Sequence, residues 1–153
     1  MKTIADFEDM LALLDEHGVR YLIVGGLAFI YHAKPRYTKD MDLWLDPAVD
    51  NVQRANRALA EFGSPVLLEA ANTGEILQLG LAPNRIDLLR QLGSASFESA
   101  WQARIVARYG AAPAQWISAE SLLEIKSAID EPRHQEDAKV LRQVLALRRE
   151  SGS

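Results

Sequence analysis

The chain contains no cysteine, which excludes disulfide bonds and zinc sites built from thiolates and fits a reducing compartment. No apolar run reaches the roughly 18 residues that a membrane span needs. The N-terminal segment mixes acidic side chains into its apolar pattern, which a secretory signal peptide does not do. These absences predict a cytoplasmic protein with no membrane partner.

Positive charge is also in short supply, because 17 basic residues face 21 acidic ones and the formal net charge is −4. Binding to nucleic acid without sequence preference depends on neutralising phosphates with Lys and Arg. Strong non-specific nucleic-acid binding is therefore not expected.

What remains is the composition of an ordinary globular protein, with 48% hydrophobic and 25% charged residues in a chain of 153. A single domain is expected over 1–150, with a sheet core at 1–117 and a helical part at 118–150. Apolar spacing predicts helices between an N-cap at Thr3 and Gly18, and at 27–31, 48–62, 97–101, 118–129 and 132–149. Strands are predicted at 21–24, 41–45, 66–68, 76–81, 85–89, 105–109 and 115–117. This order indicates an α+β (mixed α/β) fold, a mixed sheet with helices packed on it and two C-terminal helices.

A glycine pair, Gly25–Gly26, lies where the strand at 21–24 turns into a helix. Without Cβ atoms the backbone can approach a ligand closely, and the N-terminus of a helix offers free N–H groups to a phosphate. The alternative is a tight turn that needs glycine for its geometry alone.

Two aspartates, Asp40 and Asp42, alternate at the start of the next strand. Side chains at i and i+2 share one face of a strand, so the two carboxylates project from the same spot. Like charges that close repel each other unless a cation lies between them, and hard oxygen ligands suit Mg2+ or Mn2+. A polar start of a strand is the alternative.

A third aspartate, Asp87, interrupts the apolar strand at 85–89. A carboxylate in such a strand needs a partner, because burying it unpaired is costly. Either a salt bridge to Arg85 or Arg90 satisfies it, or it is a third carboxylate of a metal site on a neighbouring strand.

These residues together resemble the nucleotidyltransferase superfamily that includes DNA polymerase β, and within it the abortive-infection-type toxin nucleotidyltransferases and the minimal nucleotidyltransferases. The resemblance spans about residues 20–145. It rests on Gly25–Gly26, the run Arg-Tyr-Thr-Lys-Asp-Met-Asp-Leu at 36–43, Ile-Asp-Leu at 86–88, Ser-Leu-Leu-Glu-Ile-Lys at 121–126, Asp137 and Leu141.

The resemblance implies transfer of a nucleoside monophosphate from an NTP to a hydroxyl, with release of pyrophosphate and dependence on Mg2+ or Mn2+. Carried over by position, Asp40, Asp42 and Asp87 are the catalytic and metal-binding residues, and Gly25 and Gly26 contact the triphosphate. The acceptor, whether protein, RNA or small molecule, is not carried over. An antitoxin or a second copy of the chain is a candidate partner.

The same resemblance leaves room for a catalytically inactive relative that binds a nucleotide or a partner protein. Active minimal enzymes commonly carry Gly-Ser where this chain has Gly25–Gly26. Without the serine hydroxyl, this chain has one contact fewer to a phosphate or metal ion. Three confined acids favour the active enzyme.

Four further residues are candidates for nucleotide binding, namely Arg36, Thr38, Lys39 and Lys126. Arg36 has the strongest claim, since a guanidinium binds phosphate bidentately, although a salt bridge to an acid is its alternative. Lys126 has an i,i+4 pair with Asp130 as its alternative. Thr38 orients Asp40 or caps the strand.

Histidines and tryptophans contribute less to the functional prediction. His32 and His134 are expected to be polar surface residues. Packing is expected for Trp44, Trp101 and Trp116, although Trp44 shares a strand face with the two aspartates and has the best claim to stack a base.

Overall fold

The computed structural model describes residues 2–80 and 83–152. The helices are α1 (Ala5–Glu16), α2 (Gly25–His32), α3 (Val49–Phe62), α4 (Phe97–Gln102), α5 (Ala119–Ser127) and α6 (Pro132–Gly152). The strands are β1 (Tyr21–Val24), β2 (Asp40–Leu45), β3 (Leu77–Leu79), β4 (Arg85–Leu89), β5 (Ile105–Tyr109) and β6 (Ala112–Trp116). The predicted α+β fold, a mixed sheet with helices packed on it, is confirmed.

The described strands form one six-stranded sheet in the order β3-β4-β2-β1-β6-β5. Strand β2 lies near its centre, antiparallel to β1 and parallel to β4. The β1–β6 pair is parallel, whereas β3–β4 and β5–β6 are antiparallel. This topology brings β1, β2 and β4, which are far apart in the chain, side by side.

The core follows from the apolar periodicities of the sequence. All four residues of β1 are buried, as expected for a strand covered on both faces. Helix α1 buries Phe7, Met10, Leu11 and Leu14 at helical spacing, and packs against α3. Helix α3 ends at Gly63, whose φ of +95° is a left-handed conformation that favours glycine.

The predicted strand at 66–68 is wrong. The side chain of Asn56 satisfies the backbone of Leu68 instead, because its Oδ1 accepts from the Leu68 amide at 2.8 Å and its Nδ2 donates to the Leu68 carbonyl at 3.0 Å. The strand predicted at 76–81 is shorter and covers Leu77–Leu79, while its predicted end at Leu81 lies outside the described residues.

Several predicted boundaries also differ. Thr3 is not the N-cap of α1, since Ile4 holds that position and its amide donates to the Tyr109 hydroxyl at 2.9 Å. Strand β6 starts at Ala112 rather than 115, because a two-residue turn at Gly110 and Ala111 joins it to β5. Helix α6 continues past 149 to Gly152.

No helix in the described ranges is long and apolar enough to span a membrane.

Candidate functional site

The glycine pair brings the start of α2 against β2. Gly25 has φ +67°, and a Cβ added there would overlap Oδ2 of Asp42 and lie 3.0 Å from its Cγ. Backbone conformation and lack of space therefore both call for glycine at this position. A Cβ at Gly26 would meet the Thr38 hydroxyl at 3.2 Å. The N-terminus of α2 consequently lies directly beside the Asp42 carboxylate.

Strands β2 and β4 place the three candidate acids together. Their parallel register pairs Asp40 with Arg85 and Asp42 with Asp87. Paired residues on neighbouring strands point to the same face, and so do residues two apart on one strand. All four charged side chains thus project from one face of the sheet. We call the three carboxylates the acidic cluster.

Arg85 neutralises part of the acidic cluster. Its Nε donates to Asp87 Oδ1 at 2.8 Å, and its Nη2 donates to Asp87 Oδ2 at 3.1 Å and to Asp40 Oδ2 at 3.3 Å. The Arg85 side chain is 42% exposed, against 37% for Asp40 and 11% for Asp87. The guanidinium therefore joins the two acids from the solvent side, and its hydrogen bond to Asp87 raises its own pKa.

The surroundings of Asp42 disfavour its ionised form. Burial raises its pKa to about 6, and the charges of Asp87 and Asp40 act in the same direction. The positive charge of Arg85 opposes them without cancelling the effect. A carboxylate destabilised in this way gains most from a cation at its side.

The chemistry of these donors fits the divalent ion that the fold family implies, but their arrangement is not that of a finished ligand set. Within residues 2–80 and 83–152, no group of three or more His, Asp or Glu side chains is set to hold a metal ion. Carboxylate oxygens are the ligands that Mg2+ and Mn2+ prefer. The uncompensated charge at Asp42 favours a cation there. Asp40, Asp42 and Asp87 would hold the ion once the hydrogen bonds of Arg85 are released.

Thr38 connects the glycine pair to β2. Its hydroxyl lies 3.5 Å from the amide and 3.4 Å from the carbonyl of Asp40, so it supports the start of the strand rather than the carboxylate. Lys39 next to it has an exposed side chain, and its carbonyl accepts from the Arg85 amide at 3.1 Å.

Arg36 and Lys126 meet at Asp137 of α6, outside the acidic cluster. Arg36 donates to both carboxylate oxygens of Asp137, at 3.0 and 2.5 Å, and Lys126 donates to Oδ2 at 2.8 Å. The guanidinium of Arg36 also lies 4.1 Å from the centre of the Phe29 ring. Lys126 pairs with Asp137 instead of Asp130. We call Arg36, Lys126 and Asp137 the buried ion triad.

The buried ion triad sets the pKa of Asp137. Burial alone would raise this pKa, but the hydrogen bonds of Arg36 and Lys126 outweigh burial and lower it to about 2. Both cations donate hydrogen bonds to Asp137. Their predicted role in phosphate binding therefore requires them to bond a phosphate in addition to this carboxylate, or in its place.

The histidines and tryptophans do not take part in the acidic cluster. His32, predicted on the surface, is buried at the end of α2, and its Nε2 lies 2.6 Å from the Ile117 carbonyl. Burial lowers its pKa. Trp44 is buried and meets Phe97 edge-on at 5.3 Å, while Trp116 stacks on Tyr31 at 4.2 Å, so both serve packing.

From the sequence, Arg85 is expected only as a possible salt-bridge partner of Asp87. In the structure, Asp87 both forms that salt bridge and lies beside Asp42. The i,i+2 spacing of Arg85 and Asp87 in one strand was a signal for the shared face. Arg90, the other predicted partner, points elsewhere and donates to the backbone of 69–72 and to Glu75.

Comparison with solved structures identifies the fold. The lincosamide antibiotic adenylyltransferase LnuA, solved with bound lincomycin, superposes with a TM-score of 0.61 at 17% identity, over 94% of this chain and 99% of LnuA. The chain has the nucleotidyltransferase fold. ANT(2″)-Ia in complex with adenylyl-2″-tobramycin gives a TM-score of 0.55 at 17% identity, over 93% and 92% of the two chains.

An antigenic nucleotidyltransferase-like protein from Paracoccidioides brasiliensis gives a TM-score of 0.55 at 15% identity, over 92% of this chain and 74% of that one. No protein-family model matches the chain, and no curated protein matches it by sequence. The likeness is therefore one of fold, and it confirms at that level the resemblance predicted from sequence motifs.

Proposed function

We propose that this protein is a nucleotidyltransferase that moves a nucleoside monophosphate from an NTP to a hydroxyl of an acceptor, in the presence of Mg2+ or Mn2+. The observation that carries the proposal is the meeting of Asp40, Asp42 and Asp87 on one face of neighbouring strands, beside Gly25 at the start of α2. Arg85 pairs with only two of these acids, and the raised pKa of Asp42 favours a cation beside it.

The chain's residues divide the work as follows. The amides at Gly25 and Gly26 face the triphosphate from the start of α2. The acceptor oxygen bonds to the α-phosphorus, the bond from that phosphorus to the oxygen leading to the β-phosphate breaks, and pyrophosphate leaves. Asp87 accepts the proton of the acceptor hydroxyl once Arg85 no longer bonds the Asp87 carboxylate. Asp40, Asp42 and Asp87 would hold the divalent ion, which would supply positive charge against the charge that develops on the phosphates.

A small molecule with hydroxyl groups is the acceptor class that we favour. The solved neighbours include an adenylyltransferase with bound lincomycin and one in complex with adenylyl-2″-tobramycin. The superpositions take in 99% and 92% of those two chains, so the likeness of fold extends over nearly the whole of each neighbour. A protein or RNA acceptor, and a role as the toxin of a toxin–antitoxin pair in the cytoplasm, rest on the sequence resemblance alone.

The test is transfer of label from α-32P-labelled NTPs with Mg2+ or Mn2+. Acceptors are lincosamides, aminoglycosides, RNA and a cell extract. We expect a labelled product with the wild type, none with Asp87→Asn, and undiminished product with the control Asp50→Asn, whose carboxylate lies exposed on α3. Equal labelling by Asp87→Asn would remove that residue from the reaction.

The second candidate function is a nucleotide-binding relative without turnover. The ion pairs of Arg85 favour it, because they occupy oxygens of two of the three acids. It predicts that Mn2+ with an NTP raises the melting temperature although no acceptor becomes labelled.

A further inference from the structure

One cationic side chain, that of Arg85, bonds two acids of the acidic cluster, and the proposed function requires its release without saying what causes it. Nη2 of Arg85 lies between Asp40 Oδ2 at 3.3 Å and Asp87 Oδ2 at 3.1 Å, while Nε takes the other Asp87 oxygen at 2.8 Å. A guanidinium and a divalent ion cannot use the same carboxylate oxygens side by side without strong repulsion. Metal binding at these acids therefore requires Arg85 to leave at least one of them.

The position of Arg85 allows that movement. Its side chain is 42% exposed and reaches the acids from solvent, and its Cα is paired with that of Asp40 in the β2–β4 register. An Arg side chain has several rotatable bonds, and its ion pair with Asp40 is exposed enough for water to replace it. Its release thus involves a side chain rather than the backbone of β4.

The chemistry of guanidinium indicates where Arg85 goes next. Phosphate oxygens are bidentate partners for it, as carboxylate oxygens are. A triphosphate at the start of α2 would lie beside Asp42, which is the register neighbour of Asp87. The phosphates would then offer Arg85 new acceptors within one side-chain length of its present ones.

We propose that Arg85 is a positioning residue that couples the two ligands of the site. It holds Asp87 and Asp40 while no triphosphate is bound, and it releases their oxygens to the divalent ion when phosphate oxygens accept its hydrogen bonds. The proposal rests on the proposed function. It adds that the free protein binds the metal weakly, and that the nucleotide unlocks the metal site.

The test uses two separate binding measurements, by calorimetry, on the wild type and Arg85→Gln. In the first, Mn2+ is titrated without nucleotide, and the variant should bind it up to about fivefold more tightly because the competing charge is gone. In the second, the α,β-methylene analogue of ATP is titrated in EDTA, and the variant should bind it several-fold more weakly. A purely structural Arg85 would not move the two affinities in opposite directions.

Arg108→Gln is the matched control. It removes the same charge from an exposed residue of β5, at the far edge of the sheet, where Arg108 bonds the carbonyl of Ala111. Both of its affinities should equal those of the wild type. Arg85→Lys keeps the charge without the planar fork, and its Mn2+ affinity should stay within threefold of the wild type. If Arg85→Gln does not fold, Arg85→Met carries the same two measurements.

Unchanged or weaker Mn2+ binding by the Arg85 variant overturns the proposal. If the wild type transfers label while the variant shows no tighter Mn2+ binding, only the role of Arg85 falls. If the wild type neither binds millimolar Mn2+ nor transfers label, the proposed function falls together with it.

Discussion

Replacement of Asp42 by Asn should stabilise the metal-free protein at neutral and alkaline pH. Burial and the neighbouring charges of Asp87 and Asp40 raise the pKa of Asp42 from 3.8 to about 6. Because the folded-state pKa lies above the unfolded value, the contribution of this group to stability is complete below about pH 4. It is lost as the pH rises through 6. Ionised Asp42 therefore destabilises the fold.

The shift sets the magnitude. A rise of the Asp42 pKa from 3.8 to about 6 corresponds to about 3 kcal/mol at pH 8, and to less than about 1 kcal/mol at pH 4. Asn has nearly the shape of the protonated acid. Asp42→Asn should accordingly raise the free energy of unfolding by up to about 3 kcal/mol at pH 8 and change it little at pH 4.

The assay is urea unfolding in EDTA at pH 4, 6 and 8, followed by circular dichroism. Asp50→Asn is the control of opposite sign, because Arg54 lowers the pKa of this exposed aspartate and the variant should lose a little stability at pH 8. An Asp42→Asn protein that is no more stable than the wild type at pH 8 would refute the view that the cluster holds uncompensated charge.

Four other outcomes are expected. Mn2+ with an NTP should raise the melting temperature of the wild type but not that of Asp42→Asn, measured by differential scanning fluorimetry. Gly25→Ala should be at least about 1 kcal/mol less stable to urea than Gly18→Ala. The two glycines have nearly the same φ, +67° and +65°, but Gly18 has open space around it. Equal losses of stability in the two variants would contradict the contact between Gly25 and Asp42. Asp137→Asn should cost about 3–5 kcal/mol at pH 7, because it leaves Lys126 and Arg36 without their carboxylate. The Asp137 pKa of about 2 lies below its usual 3.8, so the wild type should lose this stabilisation as the pH falls from about 4 to 2. A free energy of unfolding that stays constant over this pH range would contradict that expectation.

The parts of the fold that were predictable from sequence are those that local periodicity determines. The apolar positions of α1 and the four-residue strand β1 follow from spacing alone. The common face of Asp40 and Asp42 follows from the geometry of a single strand. Each of these inferences needs only neighbours within a few residues.

The rest depends on contacts between distant segments. The pairing of Asp42 with Asp87 is a matter of register between strands about 45 residues apart, as their numbers in the sequence show. The Arg36–Asp137 ion pair spans 101 residues. The strand predicted at 66–68 fails because side chains bond its backbone instead of a neighbouring strand: Asn56 of α3 bonds Leu68, and Ser64 bonds Val66.

The buried ion triad has a consequence for how the protein is made. The loop that leads into β2 is fastened through Arg36 to an aspartate in the last helix. During synthesis on the ribosome, the segment that carries Asp40 and Asp42 emerges long before Asp137 of α6 does. The nascent chain thus lacks the ion pair that holds the loop before β2 until Asp137 of helix α6 has been made, 101 residues after Arg36.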